Sequence, residues 1–363
     1  MGDLKNRNVG LDVLRILLAF LVVGIHVIAP ATGAVARNVD WAVTKFFVYG
    51  LEAVCYPAVN TYVILSGFFT FAHKKSFSAV LKSLGRLWLC LIFFSILGMI
   101  VSSLYYQQLP TFTTFVARLF PICSGEWWYM TNYFILMLIS PILNQLIDQY
   151  SVKQHLYALG GALVICSIVP FFLKYEDLIG LNTGYGLIWF IVLYCTGAIL
   201  YRTKDFIINK SSKIYMFGFV CLTFLYVLIN NVLSKFEITR GFGFSAYNSL
   251  LVYIEAILLF CTFYTISVKS YNMSKVIIWL GGVSLASYVF HCQSDFGPLL
   301  WQLTEPAKYA NSLILVPITF SIMIGVFVVS ICLESVRKWL LKYIPVEGWI
   351  NKVINFVLPK DLL

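Results

Sequence analysis

The run that decides the class of this protein is GLDVLRILLAFLVVGIH, residues 10–26, which has the length and composition of a helix that crosses a lipid bilayer. It carries three ionisable side chains, Asp12, Arg15 and His26. A charge at the centre of a spanning helix costs about 2.5–3.5 kcal/mol on insertion scales, so such residues usually have a function. Arg15 and His26 are eleven residues apart, which at roughly 3.6 residues per turn places them on nearly one face, about 16 Å apart along the axis. This spacing is typical of a polar track that enters the membrane from one side.

The whole chain has the composition of an integral membrane protein. Hydrophobic residues make up 60% of its 363 residues and charged residues 12%, against about 25% charged in soluble chains. The net charge of +10 does not indicate nucleic-acid binding, because the basic residues form short clusters between apolar runs, where charge sets topology. The nine cysteines lie mostly inside apolar runs, with no C-x-x-C pair and no His/Cys cluster at metal spacing. We interpret them as core residues and expect no metal.

Ten apolar segments are candidates for spanning helices, which need about twenty residues each. They are residues 10–29, 46–72, 79–104, 127–146, 156–173, 183–202, 214–233, 246–268, 276–294 and 311–333. The second is long and carries Pro57, which predicts a kink or a tilted entry into the membrane. The sequence therefore predicts an all-α polytopic bundle of about ten transmembrane helices in residues 1–335. Residues 336–363 form a basic amphipathic tail that either lies along the anionic membrane surface or acts as a plain topology anchor.

The distribution of lysine and arginine predicts the orientation. If the first helix starts in the cytoplasm, the inner segments hold 17 of these residues and the outer segments 7, with Arg15 and Arg86 inside the membrane. Both termini are then cytoplasmic, as an even number of helices also requires. Asp12 and Arg15 fall in the inner leaflet, and His26 falls towards the outer leaflet.

Two arginines are candidates for binding an anion at the inner face. Arg86 lies in the inner part of the third predicted helix, so Arg15 and Arg86 can share one pocket. Their planar guanidinium groups suit phosphate, which they can contact through two hydrogen bonds at once. The alternatives are that Arg86 extends to lipid headgroups and that Arg15 forms an internal ion pair with Asp12.

A second histidine lies at similar depth to the first. Ser284, Tyr288 and His291 follow i, i+4, i+7 spacing, which is one helix face. Because His291 falls towards the outer end of its helix, His26 and His291 are expected to flank one cavity. The alternative is that each histidine is a packing residue with hydrogen bonds across helices.

The outer end of the fourth predicted helix begins with Glu126, Trp127, Trp128 and Tyr129. An aromatic belt at the interface explains Trp127, whereas Glu126, Trp128 and Tyr129 are candidates for binding a sugar by stacking and hydrogen bonding. Four further polar side chains lie inside predicted helices. Ser66 is a candidate for supporting the anion site at the inner face. The candidates for supporting the sugar site are Asn60, Glu52 and Glu255. Among them, Glu52 is a carboxylate that can orient a histidine. The absence of G-x-S-x-G, H-E-x-x-H and P-loop motifs argues against a serine or zinc hydrolase.

Taken together, these motifs resemble the acyltransferase-3 family of bacterial membrane O-acyltransferases. The matching features follow one order along the chain: residues 11–15 with ten residues between Arg15 and His26, residues 65–69, Arg86, Trp128 and Tyr129 with Ser140 and Pro141, Trp189 and Phe190 with residues 194–197, and Leu280 and Gly281 with Ser284, Tyr288 and His291. The chain departs from the family where the usual His-Leu-Trp or similar pattern before the fourth helix reads Glu126, Trp127 and Trp128.

This resemblance implies transfer of an acyl group, usually acetyl from cytoplasmic acetyl-CoA, to a hydroxyl of an extracytoplasmic polysaccharide, cell-wall glycan or lipid-linked sugar. The enzyme would lie in the bacterial cytoplasmic membrane. Arg15 and Arg86 would bind the phosphates of coenzyme A, with Asp12 beside them. His26 would act as general base or as a covalent acyl relay, and Ser284 and Tyr288 would donate hydrogen bonds to the oxyanion.

The expected partners are acetyl-CoA, the glycan acceptor and the lipid bilayer, without nucleic acid. The identity of the acceptor, the size of the acyl group and the formation of a homo-oligomer stay open. The alternative function is that of a transporter or flippase for an envelope precursor or an amino acid. A transporter also needs polar residues at the midplane, but the sequence shows no internal repeat of the kind that many transporters have.

Overall fold

The computed structural model describes residues 7–172, 180–235 and 246–357. Over these ranges the chain forms helices and no β-strand. The α-helices are α1 (Val9–Ile28), α2 (Val35–Asn38), α3 (Ala42–Cys55), α4 (Pro57–His73), α5 (Phe77–Tyr106), α6 (Phe112–Leu119), α7 (Trp128–Gln149), α8 (Val152–Leu163), α9 (Val169–Phe172), α10 (Leu187–Arg202), α11 (Lys204–Ile208), α12 (Ser212–Lys235), α13 (Leu250–Tyr264), α14 (Tyr271–Val283), α15 (Leu285–His291), α16 (Phe296–Thr304), α17 (Leu315–Leu341) and α18 (Val346–Val357). A π-helical turn, Val164–Ile168, joins α8 to α9.

Within the described ranges, eight helical segments are long and apolar enough to cross a bilayer. They are Val9–Ile28, Ala42–His73, Phe77–Tyr106, Trp128–Gln149, Val152–Phe172, Ser212–Leu233, Tyr271–His291 and Leu315–Leu341. Each overlaps one of the predicted spans, and the other two predicted spans correspond to the shorter apolar helices α10 and α13. The prediction of an all-helical, multi-span protein is confirmed. Three parts of the predictions lie outside the described residues. They are residue 173 at the end of one predicted span, residues 1–6 of the predicted domain and residues 358–363 of the predicted tail.

The helix α1 lies in the interior of the bundle, which explains how it tolerates its charged residues. It packs against α3, α4, α13, α14, α15 and α17. Leu14, Leu18 and Val23 on this helix are fully buried. Because α1 is surrounded by protein, Asp12, Arg15 and His26 face other side chains or internal cavities rather than lipid.

Two breaks in the helices occur where the sequence provides a reason. α3 ends at Cys55 and α4 starts at Pro57, in agreement with the predicted kink, because proline has no N–H to donate to the preceding turn. α14 and α15 are separated at Ser284, whose hydroxyl donates to the carbonyl of Gly281 at 3.0 Å. This second break sets the direction in which α15 carries Tyr288 and His291.

The helices α4 and α10 approach each other closely at two glycines. A Cβ on Gly67 would lie 2.2 Å from the carbonyl oxygen of Tyr194, and a Cβ on Gly197 would lie 2.2 Å from the carbonyl oxygen of Ile64. Small residues at these positions let the two backbones touch, which is how many membrane helices gain dispersion energy without a hydrophobic driving force. Both helices also contact α7, for example through the rings of Phe190 and Tyr129, whose centroids are 5.3 Å apart.

The C-terminal part differs from the prediction in one respect. The last span was predicted to end at residue 333, but α17 continues to Leu341. Arg337, which the sequence placed on the basic tail, is 9% exposed and binds the 5% exposed Glu334 through two hydrogen bonds of 2.7 and 2.6 Å. A buried cation needs such a partner. The amphipathic part of the tail is α18, whose Ile350 and Ile354 pack against α5.

Candidate active site

The two predicted histidines lie side by side where α1 and α15 end. The Nε2 atom of His291 is 3.1 Å from the Nδ1 atom of His26, and the ring centroids are 4.9 Å apart. His291 is 1% exposed, and His26 is half-buried. The structure therefore brings together two residues that are separated by 265 positions in the sequence.

Backbone carbonyls determine which nitrogen of each ring carries its proton. Nδ1 of His26 lies 2.7 Å from the carbonyl oxygen of Val22, and Nδ1 of His291 lies 2.5 Å from that of Ser287. A carbonyl oxygen only accepts, so both Nδ1 atoms are assigned as N–H donors. Nε2 of His291 then accepts from Nδ1 of His26, and Nε2 of His26 keeps a lone pair. The Sγ atom of Cys292 is 3.7 Å from this Nε2.

Both histidines line a cavity of about 380 Å³. Three further predicted residues, Glu126, Trp128 and Tyr288, line the same cavity. Trp127, predicted as an interfacial residue, also lines the cavity, and the other polar and aromatic lining residues, which the sequence did not indicate, are Thr32, Cys292, Gln293, Ser294 and Trp301.

Glu126 anchors one wall of this cavity. Its side chain is 1% exposed and accepts hydrogen bonds from Ser95 (2.6 Å), Gln293 (2.8 Å) and Ser294 (2.9 Å). The guanidinium group of Arg118 contributes a fourth contact at 3.2 Å. With both oxygens engaged in this way, Glu126 holds the loop that follows His291 in place and defines the shape of the cavity.

Arg118 connects this wall to Asp295. Its second guanidinium nitrogen is 2.9 Å from the carboxylate of Asp295, which also accepts from Gln293 at 2.8 Å. The Arg118 side chain is only 13% exposed. One cation thus serves two carboxylates, and their remaining acceptor capacity is met by neutral donors such as Gln293.

Aromatic rings form the opposite side. Trp128 packs against Tyr185 with centroids 4.4 Å apart, and Trp301 lies 6.5 Å from the ring of His291. Tyr129 stands behind the wall, 5.7 Å from Tyr288. These rings provide flat apolar surfaces beside polar groups, which is the combination that a sugar ring needs.

Trp127 is a correction to the prediction of an interfacial residue. It is 1% exposed, and its Nε1 atom donates to the carbonyl oxygen of Val289 at 3.2 Å. A buried indole needs a partner for its N–H group, and this bond ties the start of α7 to α15.

A comparison with known protein families identifies the class of this protein. Residues 8–334 match the profile of a family described as an acyltransferase domain, acyltransferase-3. The chain belongs to the acyltransferase-3 family. No curated protein and no solved structure matches it. The match covers nearly the whole chain, so this protein is a membrane acyltransferase in its general class.

The other end of α1 holds an ion-pair cluster in this acyltransferase. Asp12 is 1% exposed and accepts two hydrogen bonds from Arg7, at 2.7 and 2.8 Å, and one from Arg15 at 2.8 Å. The internal Asp12–Arg15 pair, an alternative raised from the sequence, is therefore present. Arg15 stays 29% exposed and lies 4.8 Å from the centroid of the Phe69 ring.

Half-buried polar groups continue inward from Arg15. The hydroxyl of Tyr62 donates to the backbone carbonyl of Arg15 at 2.9 Å. The hydroxyl of Ser66 donates to the backbone carbonyl of Tyr62, also at 2.9 Å. The ring of Tyr133 lies 6.1 Å from that of Tyr129, which itself contacts Tyr288 of the histidine cavity. Tyr62 of α4 thus contacts α1 beside Arg15, and the polar track from Arg15 to His26 stays a prediction.

Arg86 belongs to a different ion pair. Its guanidinium group binds Glu347 of α18 through bonds of 2.6 and 2.9 Å, and both side chains are more than half exposed. The hydrogen bonds from Arg86, together with its positive charge, lower the pKa of the Glu347 carboxyl below its usual value. Arg15 and Arg86 therefore have separate carboxylate partners, and Arg86 fastens the terminal helix to α5.

The remaining predicted site residues lie in helix packing and do not line the histidine cavity. Ser284 is 2% exposed at the α14–α15 break. Asn60 is fully buried, and its amide donates to the carbonyl of Tyr247 and accepts from the indole of Trp189. Glu255 is fully buried and accepts from Thr223 at 3.2 Å. Glu52 is 6% exposed on α3.

One group of side chains has the donor atoms that a metal requires. His26, His291 and Cys292 each offer one ligand atom, and these atoms lie within 4.8 Å of one another. Nitrogen and sulfur donors are those that zinc prefers. The sequence did not indicate this group, because His26 is distant and adjacent His291 and Cys292 match no metal spacing. Metal ligation and proton abstraction would use the same lone pair of His26, so the two roles exclude each other.

The residues that the sequence analysis missed follow His291 directly. Gln293, Ser294 and Asp295 are three polar residues in succession after an apolar helix, and this run was the available signal. Arg118 and Ser95 offered no such signal, because only the fold places them against Glu126.

Proposed function

We propose that this acyltransferase moves an acetyl group from cytoplasmic acetyl-CoA to a hydroxyl of a glycan outside the bacterial cytoplasmic membrane. The observation that supports this most directly is the His26–His291 pair, 3.1 Å apart, on a cavity of about 380 Å³. In this proposal the Arg15 end of α1 faces the cytoplasm, both termini are cytoplasmic, and the histidine cavity faces outward.

His26 is the general base in this reaction. Its Nε2 lone pair takes the proton of the acceptor hydroxyl as that oxygen attacks the thioester carbonyl carbon. The C–O bond forms, the C–S bond breaks, and the departing thiolate receives the proton from His26, so that coenzyme A leaves as the free thiol. General-base catalysis contributes about 10²- to 10⁴-fold to such a step. A covalent acyl-histidine formed at the same Nε2 atom is the variant of this mechanism.

His291 positions His26 and stabilises its charged form. Once Nε2 of His26 is protonated, Nδ1–H donates to the neutral Nε2 of His291 at 3.1 Å. A hydrogen bond to a charged group is worth about 1.5–3 kcal/mol. Tyr288, which lines the cavity, is the candidate donor to the developing oxyanion.

The acceptor is a sugar hydroxyl in this proposal because of the chemistry of the cavity walls. Trp128 and Trp301 offer ring surfaces, and Ser294 offers a hydroxyl group in the same cavity lining. Its volume lies in the range of about 300–1000 Å³ that is usual for sites of small molecules. Such a cavity holds a terminal sugar unit and leaves the rest of a glycan outside.

The test uses the purified protein in vesicles, with [¹⁴C]acetyl-CoA and a cell-envelope glycan fraction from the host. We expect label in the glycan and release of one free thiol per acetyl group. His26→Ala should abolish both signals. His73→Ala is the matched control, because His73 also bonds through Nδ1 to the carbonyl four residues earlier but lies on an exposed helix end.

Two results would overturn the proposal. One is glycan acetylation at the wild-type rate by His26→Ala. The other is counterflow of a labelled envelope precursor across the vesicle membrane without any thioester cleavage, which would identify a transporter.

A further inference from the structure

A second cavity lies at the end of α1 that is remote from the histidines. Its volume is about 1120 Å³. The residues before α1, the connection from α11 to α12 and the connection from α13 to α14 form its walls. From the sequence, the basic residues of these connections are expected to set topology alone, and they take no part in the proposed acyl transfer.

The lining of this cavity is basic. Arg7, Lys210 and Lys269 line it, and among the described residues no aspartate or glutamate belongs to the lining. Asp12 binds Arg7 through two hydrogen bonds and so holds that guanidinium group at the edge of the cavity. Lys210 and Lys269 form no ion pair with any residue in the described ranges. Two positive charges are therefore available to a bound anion.

The backbone adds to this positive character. α12 starts at Ser212 and α14 starts at Tyr271, and both starts border the cavity. Ser211 and Ser270 each accept a hydrogen bond from one N–H group of these first turns. The partial positive charge of a helix start, roughly half a unit, favours a bound phosphate. The carbonyl end of α13, which would repel an anion, is covered: Asn8 donates to the carbonyl of Tyr264 at 2.8 Å, and the Thr265 hydroxyl donates to two carbonyls of the last turn.

The geometry points to a binding site for the phosphate-bearing nucleotide end of the acyl donor. This inference rests on the proposed function, in which coenzyme A approaches from this face. The nucleotide part of coenzyme A carries a pyrophosphate and a 3′-phosphate, and this cluster of negative charge matches the two lysines and the two helix starts. Tyr264 and Tyr271 line the cavity and offer ring surfaces for the adenine base.

This assignment changes the role that the sequence suggested for Arg15 and Arg86. Arg86 binds Glu347, and Arg15 binds Asp12, so both are already paired with carboxylates. Arg15 and Arg7 both donate to the Asp12 carboxylate, so their guanidinium groups lie close together at this end of α1. Of the two, Arg7 lines the cavity.

The experiment measures binding rather than turnover, so it does not depend on knowing the acceptor. The full chain is placed in nanodiscs of phosphatidylcholine, and affinities are measured for coenzyme A, for 3′,5′-ADP and for phosphate-free pantetheine. In Lys210→Glu/Lys269→Glu, we expect the affinity for coenzyme A and 3′,5′-ADP to fall on the order of 10- to 100-fold, because two charge-assisted contacts become repulsive. Pantetheine binding should not change.

The matched control is Lys153→Glu/Lys352→Glu, which reverses two exposed lysines outside the cavity and alters the net charge equally. It should bind coenzyme A as the wild type does. Thermal unfolding of both double variants checks that they fold. Wild-type affinity for coenzyme A in Lys210→Glu/Lys269→Glu would overturn the inference.

Anionic lipid headgroups also carry phosphate. One further experiment therefore distinguishes a lipid site from a site for the donor. Addition of phosphatidylglycerol to the nanodiscs should leave the affinity for coenzyme A within about twofold at constant ionic strength. Loss of the lysine-dependent signal in these nanodiscs would identify a lipid site and overturn the assignment to the donor. If the wild type binds coenzyme A here but acetylates no glycan, the proposed function fails while the nucleotide site stands.

Discussion

Replacing His291 separates its proposed role from that of His26. His291→Leu removes the Nε2 acceptor that lies 3.1 Å from Nδ1 of His26 and keeps an apolar side chain in a site that is 1% exposed. His26 remains bonded to the carbonyl of Val22. The only catalytic loss is then the hydrogen bond to the imidazolium form, about 1.5–3 kcal/mol. At 1.36 kcal/mol per decade this is about a 10- to 150-fold fall in kcat.

The conservative variant makes this prediction sharp. In His291→Gln the side-chain oxygen can occupy the place of Nε2 and accept the same hydrogen bond, so we expect kcat within about fivefold of the wild type, a difference near 1 kcal/mol. His26→Gln should lose the full general-base contribution of about 10²- to 10⁴-fold, because an amide does not accept a proton at neutral pH. The order of rates is therefore wild type, His291→Gln, His291→Leu and His26→Gln.

The assay is the initial rate of thiol release from acetyl-CoA at saturating glycan, measured from pH 5 to 9, with thermal unfolding of each variant as the folding control. His291→Leu should move the acidic limb of the pH–rate profile, whereas a purely structural change would leave its position unaltered. A wild-type rate in His291→Leu would refute the reasoning. Equal rates in the folded Gln and Leu variants would show that the acceptor atom is not the reason for the loss.

Three further predictions concern the surroundings of the site. Arg118→Leu leaves Glu126, which is 1% exposed, without its cation, so we expect a loss of about 3–5 kcal/mol in unfolding free energy, measured by denaturation in detergent; an unchanged midpoint would contradict the buried ion pair. The Arg86 guanidinium lowers the pKa of Glu347. The ion pair therefore contributes fully to the docking of α18 above the ordinary glutamate pKa, about 4.3. This contribution is lost as the pH falls through the lowered pKa of Glu347 in the folded protein. Hydrogen exchange of α18 should therefore accelerate at low pH in the wild type and lack this step in Glu347→Gln, and the same step in both proteins would assign it to another group. Finally, 1,10-phenanthroline should leave acetyl transfer unchanged, and a fall in rate together with stoichiometric zinc in the purified protein would make His26 a metal ligand instead of the base.

The sequence was sufficient for the class of the protein because hydrophobic length is a local property. The segment 10–26 predicted a spanning helix, and α1 covers Val9–Ile28. Pro57 predicted the break between α3 and α4, since the lack of an N–H group is intrinsic to the residue. The spacing from Arg15 to His26 led to the family, and the match to residues 8–334 confirms it.

The sequence was less informative about partners. It left Arg15 open between a phosphate ligand and a pair with Asp12, and only the structure shows that pair, together with Arg7. It placed Trp127 at the interface because hydropathy does not distinguish an interfacial indole from one buried against a backbone carbonyl. It grouped Arg86 with Arg15 by depth, whereas the contact of Arg86 with Glu347 depends on how α18 folds back onto α5.

The sequence by itself thus determined that this chain is a helical membrane protein, and it named His26 and His291 as a pair of similar depth. Only the tertiary structure decided that the two rings touch, that Glu126 joins Arg118 and Gln293 in the cavity wall, and that Lys210 and Lys269 border a second cavity. The physical reason is that helix length and polarity are set by neighbours along the chain. Contacts across 265 positions are set by how α1, α7, α15 and their loops pack together.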